Sequence, residues 1–366
     1  MFSDCKMKKI KLFDPVIGYA EELALKKTLK SGFWASGTGT GNVLKFENAF
    51  KKYINADSCV ALNSGTAALH LALSLIDIKN KEVILPSLSF VSTAHAVIYN
   101  GGIPVFVDVE PSTLCIDVKK IEKHITKQTK VILPVHFGGM PSDLGNIQKL
   151  CDAFDIQLVE DAAHSAGASY KGNKIGSHGI IVCFSFHPVK NLAMPTGGAV
   201  TLNGKKSRVF QNKAKILRWC GISNRKDTKY DVTQLGWNYY MNEFSAAIGL
   251  EQLEKLDQTN MERKAIAKKY SNEITLKNKM PYNKDCSYHL YWIQVKNRDK
   301  FMKKMKEENV ETGIHYKPIH TMSLYKKKLN LPITERVGKQ IVTIPIHPNL
   351  SENDVDKITR LVNKFA

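Results

Sequence analysis

Arginine is scarce in this chain, although the chain is strongly basic. The first arginine is Arg208, so lysine supplies most of the 53 basic side chains behind the formal net charge of +19. Proteins that read nucleic acid depend on the forked hydrogen bonds of arginine, and the lysines here are interspersed with acidic residues, as in Lys303–Glu308. We therefore expect a solvated, lysine-rich surface and no nucleic-acid partner, although such a surface also suits a small anionic substrate.

The chain also lacks paired cysteines, an apolar leader and a long apolar run. Its seven cysteines, the first of which is Cys5, form no C-x-x-C pair, which argues against a disulfide framework and against a zinc site. Residues Met1–Lys9 contain no apolar h-region, and no apolar run has the length of a membrane span. These absences predict reduced thiols, a cytoplasmic location, no metal and no membrane association.

The order of apolar runs predicts an α/β fold. Up to about residue 255, short apolar runs alternate with helical patterns, which is typical of a doubly wound, mostly parallel sheet. From Leu256, helical segments alternate with short strands such as Tyr291–Val295. We therefore predict an N-terminal segment and a large domain over residues 1–255, followed by a smaller α+β domain over residues 256–366.

Reactive side chains follow two of the predicted strands, at the position where such sheets bind ligands. The run Ile180–Phe184 is followed by Ser185 and Lys190, and desolvation at a strand end lowers the pKa of a lysine and frees its amine for attack on a carbonyl. Asp161 ends another apolar run, and His164 comes three residues later. Taken singly, such a lysine can simply extend to water and such a histidine can pack in the core.

Two further strand ends complete a set of four. The segment Ser64–Ala67 places small residues and hydroxyls at a helix start, where free N–H groups bind phosphate, although Ser64 or Thr66 could merely cap the helix. Phe90 could stack on a flat ring or belong to the core. A phosphate cradle, an aromatic plate, a buried carboxylate and a reactive amine are together what pyridoxal 5′-phosphate (PLP) requires, and we predict that cofactor.

Several motifs occur in an order that identifies a family. They are Asn63–His70, Pro86–Thr93, Pro104–Val109, Glu160–Ser165, Phe184–Leu192 and Leu235–Gly249. Together they closely resemble the DegT/DnrJ/EryC1/StrS family of PLP-dependent sugar aminotransferases. The resemblance extends over nearly the whole chain, from the region of Trp34 to His347 and Pro348.

The resemblance implies fold type I and a homodimer whose active sites lie at the subunit interface. It implies that Lys190 is the lysine to which PLP is attached and that Asp161 pairs with the pyridinium nitrogen. The other cofactor-binding residues that it implies are Gly65, Thr66, Ala67, Phe90, His164, Ser185 and, from the neighbouring subunit, Asn238. The substrate-side candidates are His187, Tyr316 and His320.

Two departures from the family pattern lie near these residues. The usual Gly-Glu-Gly-Gly after the lysine is Pro195–Gly198 here, which leaves the shape of that loop open. The frequent Asn-Tyr-Arg is Asn238–Tyr240, so a cationic side chain is missing at its third position. Neither change removes a group that transamination needs.

The implied reaction moves an amino group from L-glutamate to a keto sugar. By the same resemblance, the acceptor is a nucleotide-linked 3- or 4-keto-6-deoxyhexose, and the product is an amino sugar for a polysaccharide, another glycan or a secondary metabolite. A related dehydratase branch carries histidine in place of the lysine, so Lys190 argues against that branch. A PLP-dependent dehydratase-like enzyme, a nucleic-acid-binding regulatory protein and a purely structural homologue on the same fold remain alternatives.

Overall fold

A computed structural model describes residues 9–326 and 329–366; Cys5 and the rest of the predicted N-terminal segment up to Lys8 lie outside these ranges. The largest element is a seven-stranded sheet. The first nine strands along the chain are β1 (Ser58–Leu62), β2 (Glu82–Pro86), β3 (Ile103–Val107), β4 (Thr129–Ile132), β5 (Gln157–Asp161), β6 (Ser169–Tyr170), β7 (Asn173–Lys174), β8 (Ile181–Ser185) and β9 (Gly198–Leu202). All of these except β6 and β7, which form a separate two-stranded sheet, belong to the large sheet.

The large sheet is mostly parallel, as the sequence predicts. Its strand order is β1-β9-β8-β5-β4-β2-β3, and β9 alone runs opposite to the other strands of the sheet. Parallel neighbours need helical crossovers, which cover both faces of the sheet and bury apolar side chains on each. The carboxyl ends of β2, β4, β5 and β8 therefore lie along one edge of the sheet.

Most of the helices in the first part of the chain pack against the large sheet, whereas the first helix packs against a later helix. In chain order the helices of this part are α1 (Tyr19–Ser31), α2 (Gly41–Ile54), α3 (Gly65–Ser74), α4 (Ser92–Tyr99), α5 (Val118–Ile121), α6 (Leu144–Phe154) and α7 (Ser207–Leu217). The helix α3 is apolar on nearly every side, and its residues 67–73 are all buried, which is expected of a helix enclosed by other elements. Its first turn faces the edge at which β8 ends, because Gly65 approaches Ser185.

The C-terminal part is smaller and mixed. It is preceded by the exposed hairpin of β10 (Ile222–Lys226) and β11 (Lys229–Val232) and by α8 (Glu243–Glu254), which packs against α1 and α2. The part itself consists of α9 (Leu256–Glu273), β12 (Tyr291–Gln294), α10 (Arg298–Glu307), α11 (Pro332–Gln340), β13 (Ile341–Ile344) and α12 (Glu352–Phe365). The strands β12 and β13 pair antiparallel. Their buried side chains, including Tyr291 and Trp292, pack against α10 and α12 in a core that also takes in Leu88 and Phe137 from the loops after β2 and β4.

The N-terminal segment and the C-terminal part are in direct contact. Ile10 forms a parallel bridge with Val310 and is buried in the C-terminal core. At another junction, Asp108, which directly follows β3, accepts hydrogen bonds at the first turn of α11 from the N–H groups of Ile333 and Thr334. The large sheet thus reaches the C-terminal part through a buried carboxylate as well as through apolar packing.

One strand is displaced slightly from its predicted position. The apolar run predicted as Ile180–Phe184 forms β8, which begins at Ile181 and ends at Ser185. The ends follow from pairing, since Ile181 is opposite Val159 of β5 and Leu202 of β9. The shift places the Ser185 hydroxyl at the end of the strand.

Candidate active site

A cavity of about 310 Å³ opens at the carboxyl ends of the central strands. It brings together most of the residues that the sequence predicts for the site. Those that line it are Gly65, Thr66, Phe90, Asp161, His164, Ser185, His187, Lys190 and Tyr316. Residues that are far apart in the chain meet here because most of them lie at or just after the end of a strand or at the start of a helix, whereas Tyr316 comes from an irregular segment between α10 and α11.

Lys190 extends its amine into this cavity from the loop after β8. Its backbone N–H donates to the carbonyl of His187 at 2.8 Å, which fixes the turn. Although the residue as a whole is only partly buried, protein surrounds the amine. Desolvation lowers the pKa of Lys190 to about 8, and the nearby Asp161 carboxylate only partly offsets this effect. About a tenth of the amine is therefore neutral and nucleophilic at pH 7, far more than for an ordinary lysine.

Asp161 ends β5 with its side chain almost fully buried. Its Oδ2 accepts a hydrogen bond from the Thr93 hydroxyl at 2.8 Å, and its Oδ1 accepts one from the Ala163 N–H at 3.1 Å. Burial raises the pKa of Asp161 in spite of these two bonds and of the Lys190 charge. The carboxylate is thus held in place but can accept further hydrogen bonds, and a cationic ligand group would stabilise its charged form.

Thr93 is a site residue that the sequence reasoning did not single out. Since its proton goes to Asp161, the hydroxyl of Ser89, 2.7 Å away, must donate to Thr93. Thr93 lies within the motif Pro86–Thr93, and its position one helical turn after Phe90 is the only signal that could have identified it.

The first turn of α3 forms one end of the cavity. Ser64 is the N-cap, and its hydroxyl accepts from the N–H of Ala67 at 3.1 Å. Ala67 therefore uses its N–H for capping and does not line the cavity, whereas the N–H groups of Gly65 and Thr66 have no partner within the helix. A Cβ on Gly65 would lie 2.6 Å from the Cβ of Ser185, so glycine allows α3 and β8 to meet.

Aromatic rings form the walls of the cavity. Phe90 is exposed to it, and its ring centroid lies 5.8 Å from that of Tyr316. His164 accepts from the N–H of Gly138 at Nδ1, so its Nε2 carries the proton and faces the Tyr316 hydroxyl at 3.1 Å. Burial, reinforced by Lys190, lowers the pKa of His164 well below its usual value. His164 is therefore neutral.

Besides Ala67, two more of the predicted residues lie outside the cavity. His320 is buried, with its Nδ1 2.6 Å from the Ser87 hydroxyl and its Nε2 3.5 Å from Glu335. It joins β2 to the segment before α11 and does not face the space that a substrate could enter. Asn238 is exposed. Its backbone carbonyl accepts a hydrogen bond from the side-chain amide of Asn63, the residue next to the N-cap of α3.

The loop at Pro195–Gly198 has a defined shape despite its departure from the family pattern. The Thr196 hydroxyl donates a hydrogen bond to the carbonyl of Asn63. The carbonyl of Gly197 accepts one from the N–H of Phe186. Thr196 and Gly197 consequently line the cavity beside the start of α3.

Residues 9–326 and 329–366 contain neither a cluster of metal-binding side chains nor a membrane-spanning helix. No group of three or more His, Cys, Asp or Glu side chains in these ranges could hold a metal ion. Within the same ranges, no helix is both long and apolar enough to cross a membrane. The six cysteines that the structure describes are unpaired.

The chain belongs to a known enzyme family. Residues 15–363 match the family model described as the DegT/DnrJ/EryC1/StrS aminotransferase family. This is a family of PLP-dependent sugar aminotransferases, and it confirms both the resemblance seen in the motifs and the predicted cofactor.

Individual relatives agree with this placement. MJ1066 of Methanocaldococcus jannaschii, an uncharacterised protein, is 35% identical over 383 residues, with 97% of each chain covered. Helicobacter pylori PseC, an aminotransferase involved in the biosynthesis of pseudoaminic acid, has a TM-score of 0.89 at 26% identity, with 98% of this chain and 99% of that chain covered. Spr1654 of Streptococcus pneumoniae, in its PMP form, has a TM-score of 0.91 at 26% identity, with 98% of each chain covered. It has also been solved in PLP and apo forms.

The residues of the cavity fit PLP. The buried carboxylate of Asp161, which has no cation among the described residues hydrogen-bonded to it, suits a protonated ring nitrogen. The first turn of α3 suits a phosphate. Lys190 offers an amine that desolvation has made reactive. These groups line one cavity, so a single cofactor could contact all of them.

Proposed function

We propose that this member of the family transfers an amino group from L-glutamate to the carbonyl carbon of a keto sugar. The acceptor that we propose is a nucleotide-linked 3- or 4-keto-6-deoxyhexose. The observation that carries the proposal is the pair formed by Lys190 and Asp161, an amine with a lowered pKa and a carboxylate with a raised pKa that line one cavity. Amino donor and sugar acceptor would bind in turn at this cavity.

Lys190 would hold the cofactor covalently and, once released by the amino donor, carry protons at Nζ. Its pKa near 8 suits both tasks, since an amine with that pKa is partly protonated at neutral pH. When bound, PLP supplies an electron sink for the charge that develops when a proton leaves the carbon bearing the amino group. Asp161 would maintain that sink by keeping the ring nitrogen protonated, and Thr93 would keep Asp161 oriented.

The remaining cavity residues would hold the cofactor at its two ends. Gly65, Thr66 and Ser185 would bind the phosphate, and Phe90 and His164 would contact the ring. The Thr66 hydroxyl is 2.7 Å from that of Ser92, so the two hydroxyls share a hydrogen bond.

We further propose a homodimer in which Asn238 of one subunit reaches the cofactor site of the other. This proposal is supported by the exposed apolar side chains near Asn238. Leu235 is 89% exposed, and Tyr230 and Val232 on β11 are more than half exposed. Large apolar side chains with this much exposure are often covered in an oligomer.

His187 and Tyr316 are the residues that we propose on the substrate side. Both line the cavity, whereas His320 would act only indirectly, by holding the segment after Tyr316 against Ser87. The excess of lysine would attract a nucleotide diphosphate. The product would be an amino sugar for a polysaccharide or related glycan, made in a reducing compartment such as the cytoplasm, where the unpaired cysteines are stable.

The visible absorption spectrum of the PLP-loaded protein tests this function. We expect a band of the bound cofactor that is bleached by L-glutamate and restored by a keto-sugar nucleotide. In Lys190→Ala the covalently bound form cannot form, so the band should be absent or shifted, whereas Lys171→Ala, a surface control, should behave as wild type. If L-glutamate leaves the band unchanged and another amino acid bleaches it, that amino acid is the donor in place of L-glutamate. A protein that binds no PLP would overturn the proposal.

A further inference from the structure

Lys190 has a neighbour that the function proposed above does not use. Its Nζ lies 3.4 Å from the Nε2 of His289, a residue 99 positions later in the chain. Asp161 affects Lys190 only by its charge, because the structure contains no hydrogen bond between the two side chains among the described residues. His289 is therefore the residue in direct polar contact with the amine.

The imidazole of His289 is held in a fixed position. Its ring stacks on Phe13 of the N-terminal segment, with 5.6 Å between ring centroids and 17° between planes, and it packs against His164 at 4.5 Å. Only 2% of the residue is exposed. A ring clamped between two others and closed off from water cannot turn away, so the position of its Nε2 is set by the fold.

The surroundings keep His289 neutral. Burial lowers the pKa of His289 well below its usual value, and the positive charge of Lys190 acts in the same direction, as do His164, Arg263 and His315. A neutral imidazole has one acceptor nitrogen and one donor nitrogen. The protonated amine of Lys190 has N–H donors and no acceptor. The Nε2 that faces it is therefore the acceptor, and Nδ1 carries the proton.

The Nδ1 of His289 has no hydrogen-bond partner among the described residues. A buried N–H without a partner reduces stability, so packing alone does not account for a histidine at this position. An apolar ring would stack equally well on Phe13. What a histidine adds, and a phenylalanine would lack, is the acceptor that faces Lys190.

We propose that His289 is a positioning residue for Lys190, whose Nε2 accepts a hydrogen bond from the lysine amine and holds it in one orientation when the amine is free. This inference rests on the role proposed for Lys190. His289 does not line the cavity, so it acts through Lys190 and not on the cofactor or the substrate. Its bond favours the charged amine and opposes the desolvation that favours the neutral one.

The pH dependence of Lys190 reactivity tests the inference without any cofactor. The full-length protein, freed of PLP, is pulse-labelled with acetic anhydride at a series of pH values, and acetylation of Lys190 is quantified by peptide mass spectrometry. In His289→Phe, which keeps an aromatic ring but removes both nitrogens, we expect the midpoint to fall by about one pH unit, because a hydrogen bond to the charged form is lost. His289→Gln, which restores an acceptor, should recover most of that shift.

His347 provides a matched control. It is another buried histidine with an unpartnered Nδ1, but its Nε2 contacts the backbone carbonyl of Lys11. His347→Phe should lower thermal stability and leave the Lys190 midpoint unchanged. A midpoint that is the same in His289→Phe as in wild type would overturn the inference and leave His289 as a packing residue.

A second measurement covers the case in which His289→Phe does not fold. In wild-type protein with ¹⁵N-labelled histidine, the His289 Nε2 resonance should shift as Lys190 titrates, and this shift should vanish in Lys190→Met. An Nε2 resonance that is indifferent to Lys190 contradicts the inference. Neither readout needs PLP or L-glutamate, so a failure of the proposed function appears in the absorption experiment and a failure of this inference appears here.

Discussion

Two aspartates lie at the carboxyl ends of two strands of the same sheet and are both almost fully buried, yet their hydrogen-bond partners differ. Asp108 follows β3 and is 1% exposed, and Asp161 ends β5 and is 3% exposed. Asp108 accepts hydrogen bonds from Thr334 at 2.7 Å and from Lys120 at 2.9 Å. Asp161 has only Thr93 and Ala163 as hydrogen-bond donors among the described residues.

The pKa values of the two carboxyl groups move in opposite directions as a result. Burial alone would raise both. At Asp108 the bonds from Thr334 and Lys120 outweigh burial and lower the pKa, whereas at Asp161 burial prevails and the pKa is raised. The comparison separates two uses of a buried carboxylate. The carboxylate of Asp108 finds its hydrogen-bond and charge partners within the protein and joins two parts of the fold. The carboxylate of Asp161 has no cation in hydrogen-bond contact within residues 9–326 and 329–366, and a ligand cation would supply one.

Replacing Asp161 should have the largest effect on activity. We expect Asp161→Asn to lower the turnover number by about 10³-fold, because a neutral amide cannot stabilise a positive ring nitrogen. Steady-state and single-turnover kinetics of the PLP-loaded protein measure this loss. Asp152→Asn, a change at an exposed aspartate on α6, serves as the control. Wild-type turnover in Asp161→Asn would remove Asp161 from the site.

Replacing Asp108 should instead lower stability. We expect Asp108→Asn to reduce the free energy of unfolding by about 3 kcal/mol, because it breaks the ion pair with Lys120 and mismatches the amide with the first turn of α11. Urea denaturation measures the change. Turnover per folded molecule should remain close to wild type, and a loss as large as that of Asp161→Asn would show that both carboxylates belong to the active site.

The pH dependence of stability should differ in sign between the two variants. The folded pKa of Asp108 is lowered, so its contribution to stability is present above the unfolded pKa of about 4 and is lost as pH falls through the folded value. The folded pKa of Asp161 is raised, so its contribution is present below about pH 4 and is lost as pH rises through the folded value. Urea denaturation of the cofactor-free proteins between about pH 3 and 7 tests both signs.

In that titration the stability deficit of Asp108→Asn should shrink on acidification. Asp161→Asn should become more stable relative to wild type as the pH rises, since it no longer carries a partly uncompensated buried charge. Parallel pH profiles for the two variants would contradict the distinction drawn between the two carboxylates.

The smallest expected effect is that of the bond that orients Asp161. Thr93→Val keeps the shape of the side chain and removes its hydroxyl, and we expect turnover to fall about fivefold, corresponding to about 1 kcal/mol. The pKa of Asp161 should rise further, which would weaken PLP binding measured by equilibrium titration. Thr113→Val removes a hydroxyl that bonds Glu110 outside the cavity and should leave both quantities unchanged.

Much of the fold could be predicted because its signals are local. Strands buried on both faces appear in the sequence as continuous apolar runs, and β5 and β8 were recognisable for that reason, with ends correct to about a residue. The reversed direction of β9 and its insertion between β1 and β8 could not be predicted, since pairing between distant segments leaves no periodic trace.

The site divides in the same way. Asp161, Ser185 and Lys190 could be predicted because each lies at or after the end of an apolar run, and such positions meet at one edge of a parallel sheet. His320 was expected beside the substrate from its motif, but the structure buries it against Ser87. Thr93 was overlooked because a threonine at the start of a helix has many ordinary explanations.

The sequence by itself determined the α/β class, the family, the cofactor and the lysine and aspartate that we propose for the reaction. These follow from residue type and order along the chain. Only the tertiary structure decided which groups touch and how each is protonated, as in the contact of His289 with Lys190 and the opposite pKa shifts of Asp108 and Asp161. Contacts between residues about a hundred positions apart, and the removal of water from around a charge, both arise from packing, and packing exists only in the folded chain.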